Sequence, residues 1–351
     1  MEKIVFVVPD MAGGGTERVI SLLANEYVKR QIPTAILSFA GNQQAYELDS
    51  RVETVSAGAA SGGSIKIRLK RLAFMRKYFK ENNGCNIFSF STIGTGFIVL
   101  STLFMKRKML VSERTDPQSC DHKPYRDFFY GFADVLVCQT QDAVACFSDK
   151  LQKKACVIGN PVDDAVPQRY DGERTHRITT AGRLEPVKNH RMLIQAFEEF
   201  VKEFPDYTLD IYGRGSLETE LKQLAVEKGL LDKVIFHGFS SNVKEEIRDS
   251  SMFILSSNYE GISNSMVEAL AMGIPVIATD CPIGGSKTYI QDGVNGFLVP
   301  TDDAQAMSNA MKKVASNVKL SEKISLNAVK IRKECSVTEI ADQMLRAAGM
   351  R

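Results

Sequence analysis

Between Glu260 and Glu268 the chain reads Glu-Gly-Ile-Ser-Asn-Ser-Met-Val-Glu, with a carboxylate at each end of a small polar stretch. Carboxylates accept hydrogen bonds from the hydroxyls of a sugar or a ribose. Ser263, Asn264 and Ser265 are helix-capping residue types, and Met266 opens an apolar-periodic run, so a helix is expected to begin there. A helix start offers unpaired backbone N–H groups and partial positive charge, which suit a phosphate. The same letters also fit a capping box, Ser265-x-x-Glu268, in which Glu268 folds back on its own cap. Taken alone, that structural reading of Glu268 comes first.

Two further segments bear on it. Gly182-Arg183-Leu-Glu-Pro-Val-Lys188-Asn-His190 follows an apolar run, and Arg183 and Lys188 are a planar fork and a point charge able to hold a diphosphate without metal. No D-x-D motif or His/Asp cluster supplies a metal site, and no cofactor is expected. Gly13-Gly14-Gly15-Thr16 also follows an apolar run and opens a helix that Thr16 could cap, but it is not the dinucleotide G-x-G-x-x-G pattern. Its simplest reading is a tight connection.

The elements that must position these residues alternate strand and helix throughout. Ile4 to Val8, Pro33 to Phe39, Val52 to Ser56, Asn86 to Ser91, Met109 to Ser112, Val135 to Gln139 and Ala155 to Ile158 read as strands of a first half. Ile178 to Ala181, Thr208 to Tyr212, Val234 to His237, Phe253 to Ser256, Pro275 to Thr279 and Phe297 to Val299 read as strands of a second. Such alternation means α/β with parallel, doubly wound sheets. The pattern breaks at Gly159-Asn160-Pro161, which places a first domain at 1–160, a second at 161–335, and a C-terminal helix at 336–351 that could cross back to the first. The tail from Asp302 to Met350 reads as wholly helical. Two such domains facing each other would leave a cleft lined by the carboxyl ends of their strands.

Apolar content of 44% and charged content of 25% exclude disordered and collagen-like classes. Seven cysteines without a C-x-x-C pair, among them Cys85, Cys138 and Cys156 in apolar runs, read as reduced core thiols of a cytosolic protein. The start Met-Glu-Lys-Ile-Val-Phe-Val-Val reads as a strand and not a signal peptide, and the longest apolar stretch, Phe97 to Met105, is too short to span a bilayer. Positive charge concentrates in Ser64 to Lys80, where Lys66, Arg68, Lys70, Arg71, Arg76, Lys77 and Lys80 stand without an acidic residue. Ile65, Leu69, Leu72 and Phe79 would form an apolar stripe among them. A helix lying on an anionic membrane surface and a core-facing helix with a solvated back fit equally well, and a nucleic-acid patch fits less well.

Taken together, Gly13 to Gly15, Gly182-Arg183 with Lys188, Glu260 to Glu268, and Gly293-Val-Asn-Gly-Phe-Leu-Val299 resemble the ordered motifs of glycosyltransferase family 4 over nearly the whole chain. The second half carries the specific motifs; the first matches mainly in its Gly-rich loop and Ser112-Glu113-Arg114. The likeness is nearest to bacterial enzymes that extend lipid-linked oligosaccharides or capsular polysaccharides. It implies the GT-B fold and retaining transfer of a hexose or N-acetylhexosamine from a nucleotide diphosphate sugar, UDP-linked by preference. The acceptor would be a glycan or a polyprenyl-diphosphate-linked glycan, with no nucleic-acid partner. A cytoplasmic enzyme, peripheral on the inner face of the plasma membrane, would suit it. The resemblance assigns Arg183 and Lys188 to the donor diphosphate, Glu268 to the ribose, Glu260 to donor-sugar hydroxyls, and Gly261, Ser263, Asn264 and Ser265 to backbone contacts. It places Gly14 and Gly15 near the phosphates, Gly213 (with Gly215) along the nucleotide, and Glu113 and Arg114 on the acceptor side. The chain departs from the pattern at Arg114, where many members carry histidine, and at Thr288, where glutamate is frequent. A nucleotide-sugar epimerase of similar build and a silent nucleotide-sugar binding subunit are the competing readings.

Overall fold

The computed structural model describes residues 2–58 and 64–350. Its contacts divide the chain into two units, one running to Asp163 and resuming at Val337, the other spanning Asp164–Ser336.

The first unit opens with β1 (Ile4–Val8), α1 (Gly15–Lys29), β2 (Thr34–Ser38), β3 (Glu53–Ser56) and α2 (Ile65–Glu81). Next come β4 (Asn86–Ser89), α3 (Thr92–Ser101), β5 (Lys108–Ser112), α4 (Lys123–Tyr130), β6 (Val135–Cys138), α5 (Gln141–Ala145), α6 (Asp149–Gln152) and β7 (Ala155–Val157). The seven strands form one parallel sheet in the order β3-β2-β1-β4-β5-β6-β7. Its interior strand β1, Ile-Val-Phe-Val-Val, is buried throughout, as expected of a parallel strand covered by helices on both faces. Phe6, Tyr27, Phe88 and Phe90 pack ring to ring at its centre.

The second unit contains β8 (Thr175–Ala181), α7 (His190–Val201), β9 (Thr208–Tyr212), α8 (Glu218–Glu227), β10 (Val234–Gly238), α9 (Val243–Ile247) and β11 (Ser250–Leu255). It continues with α10 (Asn264–Ala271), β12 (Val276–Thr279), α11 (Gly285–Tyr289), β13 (Phe297–Val299), α12 (Ala304–Ala315), α13 (Val318–Ala328) and α14 (Ile331–Glu334). Its six parallel strands run β10-β9-β8-β11-β12-β13. The last helix, α15 (Val337–Ala347), belongs to the first unit, where it packs on α1 and Ala341 O accepts from the Tyr27 hydroxyl. The fold is GT-B, α/β with two doubly wound parallel sheets and a helical C-terminus.

Several local expectations are corrected. The tail is four helices with breaks between them, because Asn317 caps α13 anew and Cys335 ends α14. Gly14, not Thr16, is the N-cap of α1, with no side-chain cap bond, since the helix begins one residue before Thr16. The apolar stripe of α2 splits: Met75, Tyr78 and Phe79 are buried, whereas Ile65 and Leu69 point to solvent. Cys85 and Cys138 are buried and Cys156 only partly so, and all seven thiols are free.

Candidate functional site

In each sheet the strand order reverses beside the first strand of the unit: between β1 and β4 in one, between β8 and β11 in the other. Open α/β sheets bind ligands beyond the carboxyl ends of strands at such switch points. Arg183 and Lys188 follow β8, and Glu260 to Glu268 follow β11, so two segments about 70 residues apart flank one switch point.

Lys188 ends a short 3-10 turn, Pro186–Lys188, and Asn189 follows in the left-handed region with φ of 46°, a conformation asparagine tolerates well. The Asn189 side chain accepts from Met192 N to cap α7 and donates to Asn258 and Asp302. Asn258 N donates to Val187 O at 2.8 Å, and the Ser256 hydroxyl donates to Lys188 O at 2.7 Å. The backbone of Lys188 is thereby fastened to the end of β11. Its ammonium forms an ion pair with the Glu260 carboxylate, which also accepts from the Ser257 hydroxyl at 3.3 Å. Glu260 N donates to Pro282 O, fixing the loop from the β12 side.

The start of α10 differs from the expectation. The helix begins at Asn264, its cap is Ser263, which accepts from Met266 N, and Glu268 stands at the fifth helical position. A box of Ser265 with Glu268 is therefore not formed. Ser265 instead donates from its hydroxyl to Ala181 O at 2.9 Å, tying the helix start to the end of β8 beside Gly182. Glu268 is buried, as are Gly261 and Ser263, while Asn264 and Ser265 are partly exposed.

Beside this cluster lies a recess of about 500 Å³ lined by Gly182, Arg183, Gly213, Arg214, Phe239 and Val243, among others. Gly213 has φ of +139°, and a Cβ there would sit 1.9 Å from Gly182 O, so only glycine lets the two strand ends approach. A Cβ on Gly215 would sit 2.3 Å from Leu184 O. Lys188 Cε would lie 3.6 Å from a Cβ on Gly182, which places its stem against that glycine. Arg214 and Phe239 were not singled out in the sequence; the signal available was the Tyr-Gly-Arg-Gly-Ser run and the position of Phe239 just past β10.

His190, the first residue of α7, is buried, and Nδ1 has no partner. Burial, with Lys188 as the second cause, pushes its pKa down to about 4. It is a neutral packing residue behind the lysine.

In the first unit, Gly14 and Gly15 follow β1, and Tyr46 donates to Gly14 O. Glu113 and Arg114 follow β5. Glu113 is buried and accepts from the Thr115 hydroxyl at 2.9 Å and the Tyr130 hydroxyl at 3.2 Å. Burial first, then Glu113, pushes the Tyr130 phenol well up. Arg114 donates to Asn160 Oδ1 and lies over the Phe90 ring, a positioning role toward the sheet. Glu113 also lines a cavity of about 830 Å³ with Arg68, Leu72, Phe97, His122 and Tyr125, at the carboxyl ends of β4 and β5. Of the cations on α2, Arg68 and Arg71 reach this cavity; Lys66, Lys70 and Lys77 are exposed elsewhere on the helix. Among the described residues no group of three His, Cys, Asp or Glu could hold a metal ion, and no helix is long and apolar enough to cross a membrane.

These features define a two-unit α/β chain whose second unit gathers cations and carboxylates at a switch point. Residues 167–331 match the family model described as glycosyl transferases group 1. Over 99% of its length the chain is 25% identical to the GalNAc-alpha-(1->4)-GalNAc-alpha-(1->3)-diNAcBac-PP-undecaprenol alpha-1,4-N-acetyl-D-galactosaminyltransferase of Campylobacter jejuni, covering 98% of that protein. It is 25% identical to the amylovoran biosynthesis glycosyltransferase AmsD of Erwinia amylovora, over 84% of this chain and 85% of that one. Among solved structures, HepE of Anabaena in complex with UDP and glucose superposes with a TM-score of 0.85 at 20% identity, covering 99% of this chain and all of that one. The chain carries a group 1 glycosyltransferase domain and is an enzyme of the glycosyltransferase class. An epimerase or a silent subunit is not favoured.

Proposed function

We propose that the enzyme moves a hexose or N-acetylhexosamine, with retention, from a UDP-linked donor to a lipid-linked or glycan acceptor. The observation that carries this reading is the pairing of Lys188 with Glu260 beside the start of α10. A diphosphate cation and a sugar-binding carboxylate are held within one another's reach. The retained configuration and the family 4 assignment rest on the resemblance of these motifs.

In this reading Arg183 and Lys188 hold the donor diphosphate, and Arg214 adds a third cation at the recess. Such a donor set binds phosphate oxygens and repels a divalent cation, so the transfer is metal-independent. The base enters the recess against Phe239 and Val243, Gly213 gives its backbone access, and Glu268 receives the ribose hydroxyls. Glu260 turns to hydroxyls of the donor sugar, and backbone N–H groups from Gly261 to Ser265 face the same group. As the bond from the anomeric carbon to the phosphate oxygen breaks, negative charge grows on UDP, where fixed cations stabilise it. The acceptor oxygen bonds the anomeric carbon on the same face, and its proton passes to the departing phosphate oxygen.

The C. jejuni relative is named for a polyprenyl-diphosphate acceptor, and HepE was solved with UDP and glucose, which support the acceptor and donor classes proposed. The test is UDP release from a panel of UDP-sugars with and without an undecaprenyl-diphosphate-linked glycan, followed by assignment of the product anomer. Acceptor-dependent release with an α-linked product from an α-linked donor is expected; an inverted product, or no release with any donor, overturns the reading.

A further inference from the structure

The helices α2, α3 and α4 of the first unit wall the Glu113 cavity and also carry exposed apolar residues outside it. Phe104, in the turn after α3, is fully exposed at 101% and holds φ of +66°, a conformation a bulky residue adopts only under strain. Two arginines fix that turn. Arg76 donates to Ser101 O and Leu103 O, and Arg107 donates to the Thr102 hydroxyl and to Phe132 O. The chain therefore spends backbone strain and two guanidinium contacts on displaying a phenylalanine to water.

Phe104 is not isolated. Arg107 links its turn to Phe132, 47% exposed, whose ring meets that of Phe128, 62% exposed, at 5.4 Å. Leu103, in the same turn as Phe104, is exposed, as is Leu100 in the last turn of α3, which also lines the Glu113 cavity, and α3 packs between α2 and α4. At the other end of the patch, Ile65 is 77% exposed, and Leu69 shares its face of α2. An exposed apolar cluster of this kind marks an interaction surface. Its flanks are basic: Lys66, Arg68, Lys70 and Lys77 on α2, Lys106 beside Phe104, and Lys123 at the start of α4 are all exposed. Of the acidic residues nearby, Asp127 pairs with Arg126, and Asp121 lines the neighbouring cavity.

We infer that this face docks on an anionic phospholipid bilayer, with Phe104, Phe128 and Phe132 entering the interface while the flanking cations meet the headgroups. Aromatic side chains favour the interfacial zone, and juxtaposed lysines and arginines add attraction that salt screens. The helix α2 alone is not the anchor, because its buried residues, Met75, Tyr78 and Phe79, face the unit's own core. The aromatic turn and α4 supply the insertion, and α2 supplies charge.

The test is sedimentation of the full chain with vesicles of phosphatidylcholine containing or lacking phosphatidylglycerol, at low and high salt. Wild type is expected to sediment with the anionic vesicles and to weaken as salt rises. Phe104→Asn with Phe128→Ser should lower partitioning about tenfold or more. Asparagine tolerates φ above zero, so the unfolding midpoint of that variant should hold or rise, whereas a packing role for Phe104 would lower it. Lys66→Gln with Lys70→Gln and Lys77→Gln should remove most of the salt dependence. UDP release in detergent without vesicles should be unchanged in all these variants, which separates this proposal from the donor assignment. Unchanged partitioning of the aromatic variant overturns it, as does a wild-type dimer in solution that the same substitutions dissolve, since a second copy would then cover the face.

Discussion

Lys188 and Glu260, 72 residues apart in the chain, form an ion pair in which both side chains are largely buried, at 15% and 21% exposure. Each is held from behind, Lys188 through Ser256 and Asn258, Glu260 through Pro282 O. A pair pinned at both backbones cannot drift apart, but its charges can exchange partners. Under the proposed function, a donor diphosphate would give Lys188 a doubly charged competitor for Glu260, and the released carboxylate would be free for sugar hydroxyls.

Opposite consequences are therefore expected from removing either partner. Lys188→Ala should weaken UDP binding and lower turnover by roughly 10²–10³, the usual loss for a group that stabilises developing charge. Glu260→Gln should lower transfer but leave UDP binding equal or a few-fold tighter, because Lys188 no longer has a resident anion. Titration calorimetry with UDP, beside UDP-release assays, reads both. Equal loss of UDP affinity in the two variants would remove the exchange from the mechanism.

Gly213→Ala should damage donor binding through the backbone. The new Cβ would stand 1.9 Å from Gly182 O at φ of +139°, so the Gly182-Arg183 segment must move. A cost of about 2 kcal/mol or more is expected, lowering the midpoint by about 5 °C, with a raised KM for the donor. Gly229→Ala is the control, since its φ is +68° but nothing lies within 4 Å. It should cost about 1 kcal/mol and leave KM alone. Thermal unfolding and donor kinetics on both variants decide whether the contact or the dihedral matters.

The motif residues were legible in the sequence because each follows an apolar run that can only be a buried parallel strand, and strand ends are where such sheets carry ligands. The pairing of Lys188 with Glu260 was not legible, since it depends on β8 and β11 being neighbours, and strand order is a tertiary fact. Nor was the cap of α10. Ser263 and Ser265 are equally good capping letters, and the choice between them is made by Ala181 O, which takes the Ser265 hydroxyl. The split stripe of α2 shows the same limit from the other side. Helical spacing groups Ile65 with Leu69 and Phe79, but only the later turns of the helix have a core to meet.

His190 gives the site a pH signature. Its pKa is about 4 in the folded chain, mainly through burial, against an ordinary value of about 6.5. Between these values the unfolded chain binds the proton and the folded one does not, so stability falls as pH drops from about 6.5 to about 4 and is unaffected above. The contribution is about 3 kcal/mol across the window. Denaturant unfolding of wild type and His190→Leu at pH 7 and pH 5 should show a smaller loss for the variant. Identical losses would mean that His190 takes up its proton in the folded state.

Under the proposed function, Glu113 is where acceptor chemistry would separate from donor chemistry. It is a buried carboxylate at a cavity wall, oriented by Thr115 and Tyr130, in the unit that does not contain Lys188 or Glu260. Glu113→Gln keeps the volume and removes the charge. If the carboxylate orients the acceptor hydroxyl, transfer should fall by about 10², the lower range for a positioned acid-base group, while UDP binding and slow acceptor-free donor hydrolysis persist. Tyr130→Phe removes one hydrogen bond to Glu113 and leaves its charge, so it should cost about 1 kcal/mol of stability and much less transfer. Acceptor-dependent and acceptor-independent UDP release, measured on the same preparations, distinguish the cases. A parallel fall of both activities in Glu113→Gln would make Glu113 a fold residue, because an acceptor contact has no hold on hydrolysis by water.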